Sequence, residues 1–185
     1  MIDDVKQDAE QRMGLSIESL QGEFRRLRTG RASVGLLEHI TVEYYGNEVP
    51  INQVATVTVE DARTLAVTPW EKPMVQVVEK SIINSDLGLN PVSAGNVIRV
   101  PLPPMTEERR KEMVKVVRHE AEAGRVAIRN IRRDALGTCK DMLKEKLITK
   151  DDDHRAHDDI QKITDRYVAQ ADELLKAKEA EIMEF

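Results

Sequence analysis

Apolar residues fall at Ile2, Val5, Ala9, Met13, Ile17, Leu20, Phe24 and Leu27, a spacing of three and four that lines one face of an α-helix. The pattern predicts a helix over residues 2–28. Thr29-Gly30 ends it, since glycine takes the left-handed C-cap conformation at no steric cost. The period then drops to two. Residues 40–45 and 48–51 read as a hairpin turning at Gly46-Asn47, and β-branched runs at 54–59, 64–68 and 96–100 read as further strands. Met74, Val77, Val78, Ser81 and Ile82 lie between them at helical spacing, which predicts a short amphipathic helix over a sheet. That helix stops near the breakers at residues 87–91.

Pro101, Pro103 and Pro104 end this module, and the helical period returns at Thr106. Thr106 can cap the new helix, with Glu107 and Glu108 at its positive end. Its seam reads Met113, Val117, Ala121, Gly124, Ile128, Ile131 and Ala135, and it should run to about Leu147. Thr149 begins a last helix with Asp151, Asp152 and Asp153 in its first turn and a seam of Ala156, Ile160, Ile163, Tyr167, Ala171 and Leu174. The three long helices should pack as one elongated bundle, each spanning roughly 40–60 Å at about 1.5 Å per residue. The fold class expected is therefore α+β: a discontinuous three-helix bundle formed by residues 1–29 and 105–185, with a small β/α/β domain inserted at 30–104. Two connections, near 29–33 and 101–105, join the parts. Thr29, Gly30, Arg31, Ala32, Pro101, Pro103, Pro104 and Met105 are the hinge candidates, the prolines stiffening one connection while Gly30 loosens the other.

Charge changes this picture. The chain of 185 residues has a formal net charge of −5, yet residues 104–148 carry 12 Lys/Arg against 8 Asp/Glu, while residues 149–185 carry 6 against 11. Arg118, Arg125, Arg129 and Arg132 share one helix face one step from the apolar seam, with Arg133 at the edge. A solvated helix face is the ordinary explanation for such a run. Glu122 is the only acid within its span on that face, however, and guanidinium groups fork onto phosphate oxygens. A local basic strip in an acidic protein can bind nucleic acid while the remainder limits non-specific adhesion.

Candidate chemistry is sparse. Cys139 lies near the seam with no histidine within two turns, which fits a packed thiol in a reducing compartment. His154 and His157 stand beside Asp151–Asp153, where the acids already serve the helix dipole, so no metal is expected. The chain has neither a GxxxxGK[ST] loop nor GxGxxG, and no catalytic constellation, so no enzyme activity or cofactor is expected. An aromatic content of 3% argues against base-stacking platforms. The N-terminus lacks an apolar signal core, and no apolar stretch approaches the roughly 18 residues of a membrane span, so a soluble cytoplasmic protein without membrane contact is expected. Gly14, Gly22, Gly124 and Gly137 interrupt helices, each costing about 1 kcal/mol relative to alanine, and close helix approach would explain Gly124.

Several blocks carry a family resemblance: Arg28-Thr-Gly-Arg-Ala-Ser33, Glu43-Tyr-Tyr-Gly46, Asp86-Leu-Gly-Leu-Asn-Pro91, Arg99-Val-Pro-Leu-Pro-Pro104 followed by Thr106-Glu-Glu-Arg-Arg110, and Arg125-Val-Ala-Ile-Arg-Asn-Ile-Arg-Arg-Asp134. In order and content they resemble the bacterial ribosome recycling factors over the whole chain. The resemblance implies an L-shaped monomer whose bundle binds the large ribosomal subunit through 23S rRNA after termination. With elongation factor G and GTP it would split the ribosome and free it from mRNA. It also implies rRNA contacts at Arg132, flanked by Arg129 and Arg133, with Arg125, Arg28 and Arg31 as further candidates. A coiled-coil adaptor and a free-standing RNA regulator remain as alternatives, and salt titration distinguishes the first because only phosphate contacts weaken steeply with salt.

Overall fold

The computed structural model describes residues 1–27 and 29–184; the candidate Arg28 lies outside them. Two compact units are present. One comprises residues 1–24 and 112–180, the other residues 25–111 and 181–185.

The first unit is helical. It contains most of α1 (Ile2–Arg26), α3 (Glu107–Lys144) and α4 (Lys150–Glu184). The seams read from sequence are its core: Ala9, Met13, Ile17, Leu20 and Phe24 from α1 meet Met113, Val117, Ala121, Ile128, Ile131, Ala135 and Cys139 from α3. From α4 come Ala156, Ile160 and Ala171 with a buried Thr164, whereas Ile163, Tyr167 and Leu174 of its expected seam are half-buried. Thr164 can be buried because its hydroxyl donates to the Ile160 carbonyl at 2.8 Å, so it carries no unsatisfied donor.

Ion pairs fix the helix directions. Arg12 reaches Asp134 while Gly124 faces Leu20, so α1 and α3 run antiparallel. Lys6 meets Asp159 at 2.6 Å and Arg166 meets Glu10, so α1 and α4 run parallel. The Thr106 hydroxyl accepts from the Arg109 amide at 3.1 Å, the cap anticipated for α3. At α4, Thr149 and Asp152 form a reciprocal capping box, each side chain accepting from the other's backbone N–H. The Thr149 amide is the main reason the Asp152 carboxyl sits below the usual carboxylate range. α1 and α3 end earlier than their apolar periods suggest, at Arg26 and Lys144; Lys146 takes a positive φ of 60°, which terminates the helical path before Leu147.

Cys139 is fully buried, and burial followed by the nearby Asp153 pushes its thiol pKa up, which suits a packing residue. Gly124 needs less explanation than its place on the seam suggested. A methyl there would meet Leu20 Cδ2 at 3.5 Å, an ordinary contact, so close approach does not demand glycine. Gly137 faces open space, and a methyl group added there would meet nothing within 4 Å. Gly137→Ala should therefore raise stability by about 0.5–1 kcal/mol, read as a shift of the urea midpoint at unchanged slope.

The second unit is built around a four-stranded antiparallel sheet in the order β3-β4-β6-β5: β3 (Ala55–Asp61), β4 (Thr64–Pro69), β6 (Val97–Pro101) and β5 (Val92–Ala94). The short β5 is an addition to the strands read from sequence; its three exposed residues offer no alternation to detect. Leu65, Val67, Ile98 and Val100 are buried on one face, and α2 (Met74–Ile83) packs across the sheet through Met74, Val75, Val78 and Ile82. A separate hairpin pairs β1 (Thr41–Tyr44) with β2 (Asn47–Pro50). Its turn is Tyr45-Gly46, one residue earlier than expected, with φ of 48° and 82°. Both central residues of a type I′ turn need positive φ, and this register keeps Val42 inside while leaving Tyr45 exposed.

Residues 29–33 and 101–105, the segments expected to join the two parts, both lie in this unit and are tied to one of its turns. The Ala32 amide donates to the Ala62 carbonyl at 2.8 Å, and the Leu102 amide to the Arg63 carbonyl at 2.7 Å. Thr29 is buried with its hydroxyl on Glu181 at 3.3 Å, and Gly30 has a φ of 87°.

Candidate nucleic-acid interface

The arginine row of α3 faces an acidic row on α4. Arg118, Arg125 and Arg132 are seven residues apart, and so are Glu179, Asp172 and Asp165 on the neighbouring helix. Arg118 Nε pairs with Glu179 at 2.6 Å and Arg125 Nη1 with Asp172 at 2.7 Å, two rungs of one antiparallel ladder. The third rung differs. Arg132 Nη1 donates at 2.7 Å to the amide oxygen of Gln161, and Gln161 Nε2 in turn donates at 2.8 Å to Asp165.

Charge is thus neutralised unequally along the row. Arg125 is the most enclosed, its side chain 16% exposed between Asp172 and Glu122. Arg118 is open to solvent yet matched by Glu179. Glu122 is shared: Arg125 lies at 2.9 Å and Arg129 at 3.3 Å. The hydrogen bond from Arg125 is the largest influence holding the Glu122 carboxyl below its usual range, with the Arg129 charge adding to it. Arg132 rests on a neutral amide, and Arg133 is exposed with no hydrogen bond or ion pair among the described residues. The one turn from Arg129 to Arg133 therefore holds three guanidinium groups against one shared carboxylate. That arrangement suits phosphate, which a guanidinium grips through paired N–H donors.

Among the residues anticipated, the structure brings Arg125, Arg129, Arg132 and Arg133 onto one stretch of α3. Arg31 is exposed and belongs to the second unit. The reading from α3 alone overlooked Glu179, Asp172 and Gln161. The seven-residue spacing of Glu179, Asp172 and Asp165 on α4 was visible, but only the antiparallel register matches Glu179 and Asp172 to their arginines and brings Gln161 to Arg132. No group of three or more potential metal ligands gathers among the described residues, and none of the helices is long and apolar enough to cross a membrane there.

Comparison with known proteins identifies the family. The family model of the ribosome recycling factor matches residues 20–183. A ribosome-recycling factor of Nitrosococcus oceani is 62% identical over 184 residues, covering all of this chain and 98% of that protein. One from Legionella pneumophila is 57% identical with full coverage of both. Among solved structures, a solution structure of the ribosome recycling factor is similar with a TM-score of 0.79 and 41% identity, covering 100% of this chain and 98% of the other. Models for the T. thermophilus ribosome recycling factor and the E. coli elongation factor G bound to the E. coli post-termination complex include a chain with a TM-score of 0.71 and 48% identity, with 98% of each chain covered. A family match over most of the sequence, relatives of this identity along its full length and the same α+β fold lead to one conclusion: the chain belongs to the ribosome recycling factor family.

Proposed function

We propose that this protein binds the large ribosomal subunit of the post-termination complex and, with elongation factor G and GTP, splits it so that ribosomes leave the mRNA. The observation that carries this reading is the under-neutralised turn of Arg129, Arg132 and Arg133 in a member of this family. These three guanidinium groups grip 23S rRNA phosphates. Arg125, held between Asp172 and Glu122, serves chiefly to clamp α3 to α4. The described placement of the T. thermophilus relative with elongation factor G on a post-termination complex supports the same partners here.

The protein itself is non-catalytic, a soluble cytoplasmic monomer acting as a lever moved by the GTPase. Residues 29–33 and 101–105 form the hinge between a bundle domain of residues 1–29 and 105–185 and an inserted domain of residues 30–104. Ala32 and Leu102 are hydrogen-bonded to the Ala62-Arg63 turn, so bending concentrates outside those anchors, at Gly30-Arg31 and at Pro103, Pro104 and Met105.

A polysome breakdown assay tests the reading. Purified protein with elongation factor G and GTP should convert polysomes to free ribosomes. Conversion no greater than with elongation factor G and GTP alone would sink it.

A further inference from the structure

We infer that Gln161 is a positioning residue that leaves the Arg132 charge unmatched and available to an anion, by holding its guanidinium on a neutral acceptor and keeping Asp165 away from it. This rests on the reading that the Arg129–Arg133 turn docks on rRNA phosphate.

The ladder supplies the argument. At equivalent heptad positions Arg118 and Arg125 each meet a carboxylate directly, at 2.6 and 2.7 Å. By the same register Arg132 should meet Asp165. Instead Gln161, one helical turn earlier on α4, stands between them: its carbonyl oxygen takes one Arg132 N–H and its NH2 group takes an Asp165 oxygen. An amide can do both because it carries an acceptor and two donors, which neither a carboxylate nor an apolar side chain offers. Ordering matters as well as charge. Arg132 is half-buried with one nitrogen anchored, so less side-chain freedom remains to be lost when an anion binds. Its other N–H donors have no partner among the described residues.

Binding to purified large ribosomal subunits, measured across a salt series, tests this with the full-length protein. Gln161→Glu places a carboxylate on Arg132 and should weaken binding about tenfold, the scale of one charge-assisted contact. The slope of log affinity against log salt should become shallower by about 0.7–0.9, equivalent to one phosphate. In an Arg132→Ala background the same change should add almost nothing.

Gln161→Leu removes the amide without adding charge. Arg132 then takes Asp165 as its rung partner, and binding should fall several-fold; adding Asp165→Asn should restore it, a rescue that a purely packing role for Gln161 would not give. Wild-type affinity and slope in Gln161→Glu, wild-type affinity in Gln161→Leu, or failure of Asp165→Asn to rescue would each overturn the inference. Should Arg132→Ala itself bind like wild type, the docking reading fails first, so the two failures are distinguishable.

Discussion

Replacing Arg129, Arg132 and Arg133 together by alanine is expected to lower affinity for large ribosomal subunits by at least about a hundredfold while leaving the fold intact. A hydrogen bond to a charged group contributes about 1.5–3 kcal/mol, so even two productive contacts reach that range. The fold should survive because Arg129 and Arg133 are exposed and none of the three makes a direct ion pair with α4. The salt dependence should flatten by about 2 in log–log slope, since fewer phosphates would be neutralised. Arg118→Ala is the control. It removes one arginine from the same helix face, and the charge of that arginine is already matched by Glu179. Its effect on stability should lie within about 1 kcal/mol, as for exposed ion pairs, and subunit binding should be unchanged. Equal losses from Arg118→Ala and the triple substitution would show that α3 contributes only diffuse charge and that the turn has no special standing.

The three helices were legible because each buries a single stripe, and the apolar period marks that stripe without knowledge of the neighbours. Met113 through Ala135 is the plainest case: every seam position but Gly124 is buried. The hairpin was legible as an element but misplaced at its turn. Gly46-Asn47 and Tyr45-Gly46 differ by one residue, and the choice depends on Val42 entering a core assembled from the sheet, α2 and the 3₁₀ turns Val34–Leu37 and Ile51–Gln53. The arginine face was visible in composition and spacing. Its charge balance was not, because Glu179, Asp172 and Gln161 lie 29–61 residues away in sequence. Gly35 escaped for the same reason. Nothing local distinguishes it from the helix glycines, and its neighbour is ten residues upstream.

That neighbour makes Gly35→Ala strongly destabilising, by about 1–3 kcal/mol. Gly35 is buried in the 3₁₀ turn Val34–Leu37, and a methyl group there would lie 2.9 Å from the Arg25 carbonyl oxygen and 3.2 Å from Arg25 Cβ. Real side-chain carbons do not come so close to a backbone oxygen, so one of the two segments would have to move. The Arg25 carbonyl belongs to the last turn of α1, and the 3₁₀ turn is locked by the Leu36 and Glu38 amides on the Ser33 and Gly35 carbonyls. Neither segment yields cheaply. The obstacle is purely steric, because Gly35 does not occupy a positive-φ conformation. It therefore contrasts with Gly137, where the identical substitution meets open space and should stabilise. Denaturant midpoints for the two alanine variants should move in opposite directions from wild type. A Gly35→Ala protein as stable as the parent would mean that the 3₁₀ turn and the end of α1 are packed less tightly than their 2.9 Å approach requires.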